Sequence, residues 1–491
     1  MSEPSATTPA PVAARPGMRD LTSGPVLRTL ALFSLPTLGS NLLQSLNGTI
    51  NSIWVGNLIG DAALAATANA NIVMFLVFAA VFGFGMAATV KMGQAFGAGE
   101  VDVARRTFGS AVGLCLGLAI IVAVAGWVYA PQLLTLLATP GESYGLALAY
   151  LRIIFVSIPG GMMTVMLAMG LRGAGDSKTP FLFMGVSVVL DVVLNPVLIT
   201  GLGPFPRMGI AGSAAATAIA GYTALIGLVI YVYAKDLPLR LRGAELGYLI
   251  PRRAELGYIV GKGLPMGAQM LLISSAGLVI IGLVNREGLI AAAAYGASLQ
   301  LWTYLQMPAM AIGAGVSAMA AQAIGARLPE RLDAISRAGI LINLVMTGSM
   351  AALLLLFDRP ALVLFLGADS PAVPLARHIQ LLASWSFILF GVTIVLFGTM
   401  RAGGVVWVPL IALGIAMFPA RLGFYYGFRD WLGQDALWLC FPFGSAVSMV
   451  IAILYYRQAG WRTQGRAISP ERAAEVSHTD GEAAGRFKPE L

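Results

Sequence analysis

Apolar stretches of 20 or more residues recur twelve times along the chain, separated by short polar or charged turns. They run at about 27–57, 63–95, 107–137, 148–171, 179–201 and 208–234, then at about 258–284, 289–324, 338–366, 375–400, 405–427 and 435–456. A run of that length crosses a bilayer as a helix. The pattern therefore predicts an all-α integral membrane protein with twelve transmembrane helices. It pauses once, over Lys235–Glu255, where KDLPLRLRGAELGYLIPRRAE is charged and Pro-containing. That pause divides the chain into an N-lobe at 26–234, a cytoplasmic linker at 235–255 and a C-lobe at 256–457. A polar N-terminal tail at 1–25 and a polar C-terminal tail at 458–491 flank them. The first is Pro/Ala-rich with no apolar core before a cleavage site, so no signal peptide is expected. The second has the composition of a disordered segment.

The halves repeat. Leu35-Pro36 matches Leu264-Pro265. Gly85, Gln94, Gly97 and Ala98 match Gly313, Gln322, Gly325 and Ala326. Arg172, Gly175 and Pro180 match Arg401, Gly404 and Pro409. Three separated clusters share a nearly constant offset of 228 or 229 residues, which makes chance a poor explanation. Six spans per half is an even number, so both halves enter from the same side. The two six-helix lobes should be related by a parallel pseudo-two-fold along the membrane normal, with a cavity between them.

Composition agrees and narrows the class. Hydrophobic residues make up 58% of the chain, charged residues 11%, and the mean hydropathy is +0.81. Soluble domains carry about 25% charged residues. Basic residues fix the orientation. With both termini in the cytoplasm, 24 of the 31 Lys and Arg fall on the cytoplasmic side. Arg172 and Arg401 join that group as span-end residues, and Lys91 is expected to snorkel to the headgroups. The outer side keeps Arg152, Arg207, Arg286, Arg359, Arg377, Arg421 and Arg429. The net charge of +8 is thus topological and no nucleic-acid footprint. Two cysteines and two histidines leave no basis for a disulfide framework or a metal centre.

Chemistry concentrates in the first half. Asp191 falls near the middle of TPFLFMGVSVVLDVVLNPVLIT, and no other Asp or Glu is expected at mid-span. An ionisable group at that depth is costly and marks a transport candidate. Asp191 and Asn195 are i, i+4 on one helix face, and Pro196 next to them frees a backbone carbonyl. Gln44, Asn47 and Asn51 share a face of the first span, and Thr217 offers a hydroxyl on the sixth. If these faces converge, one carboxylate is ringed by amides and a hydroxyl. Burial disfavours its charged form, so it can take a proton on one side and release it when wetted from the other. The same oxygens could hold Na⁺. In the second half, Tyr295, Gln300, Trp302, Tyr304 and Gln306 could stack a flat cationic substrate. Pro36, Pro196 and Pro265 are candidate hinges. The steps Gly109, Gly113 and Gly117 predict close helix packing.

The loop GQAFGAGEVDVARR and its partner AQAIGARLPERLDAISR, the loop LRGAGDSKTP, the motif LDVVLNP and the first span SLPTLGSNLLQSLNGTINSIWVG together resemble the multidrug and toxic compound extrusion (MATE) family of cation-coupled antiporters. The resemblance covers roughly residues 20–457. It implies a V-shaped pair of lobes that opens alternately to each side of the plasma or inner membrane. It also implies export of organic, cationic amphipathic compounds against inward H⁺ or Na⁺ flow, with no cofactor beyond the coupling ion, by a monomer that is not an enzyme. Family members often carry acids at the places held here by Asn51 and Asn195, so the carboxylate has exchanged places with an amide. Other members carry acids on spans 7 and 10. The stretches MGAQMLLISSAG and WSFILFGVTIVLFG have none, so the C-lobe should not couple ions through a carboxylate. Two other readings stay open: a lipid-linked saccharide flippase of the same superfamily, and an ion channel or receptor. The flippase would need basic side chains in the cavity, whereas here they are expected at span ends.

Overall fold

The computed structural model describes residues 20–136 and 141–458. The two polar tails lie largely outside them. Every regular element among the described residues is helical. The N-lobe contains α1 (Val26–Leu58), α2 (Asp61–Gly97), α3 (Val101–Leu136), α4 (Gly141–Gly173), α5 (Lys178–Thr200) and α6 (Ile210–Ala234). The C-lobe contains α7 (Arg253–Arg286), α8 (Leu289–Gly325), α9 (Pro329–Leu356), α10 (Asp358–Leu366), α11 (Ala372–Ala383), α12 (Ser386–Ala402), α13 (Trp407–Ile415), α14 (Arg421–Leu432) and α15 (Asp435–Arg457). Among the described residues, eleven spans are long and apolar enough to cross a membrane, and α11 with α12, bent by 42°, makes a twelfth.

Three boundaries differ from the hydropathy reading. The apolar run 338–366 is α9 followed by a separate short helix, α10. The span at 375–400 is the bent α11–α12 pair. The eleventh span passes through a π segment, Ala416–Ala420, at Pro419. The proline removes a ladder donor, which a wider turn accommodates. Apolarity runs straight through all three breaks, so hydropathy could not reveal them. Pro36, Pro196 and Pro265 each sit inside a continuous helix.

The linker is a structured strap. A 3₁₀ segment, Gly243–Leu249, packs on α3. Gly109 and Gly113 make room for it: a Cβ there would lie 2.7 Å from Tyr248 Cβ and 1.8 Å from the Leu249 carbonyl oxygen. The glycine step on α3 therefore seats the linker, not a second membrane helix. Arg105 anchors it, with Nη1 2.7 Å from Glu245 Oε1 and Nε donating to the Pro238 carbonyl.

The lobes meet where α2, α4, α8 and α12 end, the end that collects most of the basic residues. Gln94 Nε2 donates across the junction to the Ala402 carbonyl at 2.6 Å, and Gln322 Nε2 donates to the Gly173 carbonyl at 3.0 Å. These two bonds are one interaction repeated by the internal symmetry. Lys91 does not reach for headgroups. It is buried and ion-paired with Glu255 of α7, and it lies over the Tyr258 ring. Its partner is 164 residues away, so the helix face alone suggested a snorkelling lysine. Glu255, in the first turn of α7, and Asp358, paired with Arg377 at 2.9 Å, are buried carboxylates at helix starts.

Candidate functional site

Asp191 sits thirteen residues into α5 and is 1% exposed; Asn195 is fully buried. Three helices supply donors to the carboxylate. From α1, Asn47 Nδ2 donates to Oδ2 at 2.8 Å and Asn51 Nδ2 to the same oxygen at 2.7 Å. From α5, Asn195 Nδ2 donates to Oδ1 at 3.0 Å, one turn along. From α6, Thr217 Oγ1 donates to Oδ1 at 3.1 Å. Asn195 Nδ2 also lies 3.0 Å from Asn51 Oδ1, so the amides are tied to each other as well as to the acid. A buried charge is tolerable when every lone-pair direction finds a donor. Here four donors do that, and the amide oxygens of Asn47 and Asn195 remain buried without a partner.

Four of the five residues expected around the carboxylate reach it. Gln44 does not. It is exposed, and it lines a cavity of about 90 Å³ with Asn41, Phe82, Arg172 and Met184. It therefore stands one turn below Asn47, between the acid cluster and the cavity. Tyr150 of α4 is an addition: it lies within electrostatic reach of Asp191. Its neighbourhood, YGLALAYLRIIF, gives no signal that would have singled it out.

The C-lobe has no such cluster. At the repeat spacing the places of Asp191, Asn195, Asn47, Asn51 and Thr217 fall to Ala420, Phe424, Ala276, Ile280 and Ala446. Arg421, expected on the outer side, lies inside the span, with its guanidinium 4.7 Å from the Phe441 ring centre. Tyr295 and Trp302 are 3% and 2% exposed, packed with Trp438 and Phe441 in the C-lobe core. Trp302 Nε1 is spent on Gln380 Oε1 at 2.9 Å. In this conformation they form a structural aromatic core with no face left for a ligand. Gln300 is exposed, and Tyr304 and Gln306 are partly buried; none of these five lines the central cavity.

That cavity, about 120 Å³, lies between the lobes. Five methionines line it, Met86, Met169, Met266, Met270 and Met310, with Phe82 and Ile273 among its other apolar walls. Methionine side chains re-pack readily, which suits cargo of variable shape. Arg172 and Arg401 also line it, and no Asp or Glu does. Both arginines are at span ends, as expected, but the cavity reaches down to those ends. The premise that basic groups stay out of the cavity does not hold. Nor does its wall carry a carboxylate to meet a cation.

Comparison with known proteins gives the same architecture. The family model MatE matches residues 36–197 and again 265–426, two segments whose starts are 229 residues apart. The chain is 33% identical over 437 residues to the probable multidrug resistance protein YoeA of Bacillus subtilis (strain 168), covering 88% of this chain and 94% of that one. It is 26% identical over 345 residues to the FAD transporter of Shewanella oneidensis, covering 70% and 75%. Among solved structures, the outward-facing conformation of a multidrug resistance MATE family transporter of the MOP superfamily superposes with a TM-score of 0.83 at 21% identity, covering 90% of this chain and 98% of that one. With a family match across both halves and a relative aligned over most of its length, the chain belongs to the MATE family, multi-pass membrane transporters that are not enzymes.

Proposed function

We propose that the protein is a secondary active exporter of amphipathic organic compounds, driven by inward H⁺ flow through Asp191. The observation that carries this reading is a single buried carboxylate with four donors from three helices, confined to one lobe. Protonation removes the charge and turns one of the two acceptor oxygens into a donor that faces donors, so the acid's two states favour different packings of α1, α5 and α6. That difference is what a coupling ion needs in order to bias a conformational equilibrium. The protein resides in the plasma or inner membrane as a monomer, with both termini and the basic end in the cytoplasm. The joined lobe ends then make this an outward-open state. Cationic cargo, expected from the family resemblance, draws no support from the cavity wall.

Sodium is the competing ion. Tight Na⁺ binding wants about five or six oxygens and negative charge to offset dehydration. The cluster presents three amide nitrogens and one hydroxyl to Asp191, and one full charge. A lone acid suffices for a proton carrier. In vesicles of the purified protein at clamped membrane potential, an inward pH gradient should drive export in Na⁺-free buffer. Export that requires Na⁺ and ignores the pH gradient would overturn the proton assignment.

Lobe asymmetry gives a second expectation. Asn51 donates to Asp191 and accepts from Asn195, so Asn51→Ala removes two contacts, each worth about 1 kcal/mol or more when buried. Asn195→Ala removes one of the two donors on the other carboxylate oxygen. Both should weaken ion-driven export well beyond Ser274→Ala or Ser275→Ala in the C-lobe, where Ser275 Oγ bonds only its own helix at Leu271 and Leu272. Equal losses at matched protein levels would refute the asymmetry.

A further inference from the structure

The central cavity has a charge that the coupling site does not use. We infer that its floor is an anion site that recognises amphipathic organic anions: a carboxylate, sulfonate or phosphate carried on an apolar body. This rests on the reading of the cavity as the transport route and names the chemistry of its cargo.

Arg172 and Arg401 come from opposite lobes at repeat-equivalent positions and line the same cavity. Arg401 is 8% exposed, and its Nε donates to its own helix at the Phe397 carbonyl, 3.2 Å away. Arg172 Nε is buried with no hydrogen-bond partner. Neither arginine ion-pairs with a carboxylate among the described residues. Lys91 and Arg105 are neutralised by Glu255 and Glu245, and Arg421, which has no carboxylate partner among the described residues, lies over the Phe441 ring. A buried charge is seldom left unpaired without a reason. Both arginines end a helix, α4 or α12, where the helix dipole favours a cation. That explains why a cation is tolerated there, but it leaves the forked N–H groups unspent. A guanidinium fork matches carboxylate and phosphate geometry. The methionine-rich wall above it suits the apolar remainder of the ligand. A cationic ligand would meet two like charges at the same floor.

Arg172 directly precedes Gly173, and Arg401 directly precedes Ala402, the two residues whose carbonyls accept the cross-lobe bonds from Gln322 and Gln94. An anion on this floor therefore sits immediately against the seal between the lobes.

Fluorescein and rhodamine 123 share a xanthene ring system and carry opposite charge at pH 7.4. Their binding to the full-length protein in an uncharged maltoside detergent, read by fluorescence anisotropy, tests the inference directly. Fluorescein should bind more tightly than rhodamine 123. Arg172→Gln and Arg401→Gln should each weaken fluorescein by roughly tenfold, the weight of one charge-assisted hydrogen bond, and leave rhodamine 123 unchanged or tighter. Arg172→Lys and Arg401→Lys keep the charge and should retain most of the affinity. Competition with phosphatidylglycerol, set against phosphatidylcholine, identifies the source of the anion. Displacement by phosphatidylglycerol alone means that a lipid headgroup occupies the floor; no displacement means a soluble anion. The anion site stands in both cases. Preference for rhodamine 123, or fluorescein affinity indifferent to both glutamine variants, overturns it. So does equal loss in the lysine and glutamine variants with a lowered melting temperature, which would make the arginines structural. Binding needs no ion gradient, so arginine-dependent fluorescein binding combined with failed gradient-driven export would sink the coupling reading and spare this one.

Discussion

Asp191→Asn will leave the protein folded and inserted, with gradient-driven export below about a tenth of the wild-type rate, because only a titratable or cation-binding group at that depth can exchange an ion between sides. The substitution is nearly isosteric. An amide oxygen at the Oδ2 place keeps the acceptor for Asn47 and Asn51, while Asn195 and Thr217 then meet the amide nitrogen at the Oδ1 place. What is lost is the charge and its ability to be neutralised. One amide nitrogen must now face donors, a mismatch that costs about 1–3 kcal/mol where it is buried. Melting temperature and size-exclusion profile should therefore shift little, while export under a pH gradient in reconstituted vesicles collapses. Downhill exchange of labelled cargo, which needs no ion, should persist. Wild-type gradient-driven export by this variant would show that the carboxylate is not the coupling group.

Much of this arrangement is legible in the sequence, and the limits have physical causes. The spans read directly from hydropathy, since a bilayer imposes one length on every crossing. The acid cluster reads from helical spacing: Asn47 and Asn51 on one helix, and Asp191 and Asn195 on another, each occupy a single face. Convergence of those faces with Thr217 is a tertiary fact that periodicity can only permit. Tyr295 and Trp302 illustrate the converse. An aromatic stripe has the same spacing whether it faces a cavity or a core, and here Trp438 and Phe441, more than 130 residues further on, decide for the core. Lys91 and the two cavity arginines fail for a different reason. A span end in sequence is equated with the membrane surface, but where two lobes meet, a span end can be the sealed floor of a cavity. Glu255 shields Lys91 there, and the cavity descends to Arg172 and Arg401.

That seal carries the second large effect. Gly97 and Gly325 are repeat partners on α2 and α8, and each lies against the other's neighbourhood. A Cβ on Gly97 would stand 2.0 Å from the Gln322 carbonyl oxygen, and one on Gly325 would stand 1.9 Å from the Gln94 carbonyl oxygen. These are backbone atoms, so no side chain can swing aside, and the helices themselves must separate. Gln94 and Gln322 make the two cross-lobe bonds, so separation strains them together. Overpacking typically costs about 1–3 kcal/mol. A penalty of that size on one state alone shifts a two-state equilibrium by roughly 5- to 150-fold. Gly97→Ala and Gly325→Ala should each open this end of the molecule, and to a similar degree, because the contact is duplicated by the internal symmetry. Spin labels at Glu100 and Glu330, both exposed just beyond α2 and α8, report that opening as a longer and broader distance distribution. Export should fall in step, since an exporter that cannot close this end cannot present its cavity to the other side alone. Gly117→Ala is the control: it is a glycine of a membrane helix where an added Cβ would meet no atom within 4 Å, and it should change neither reading. Unchanged distances and full export in both alanine variants would mean that the α2–α8 glycine contact is not what closes the lobes.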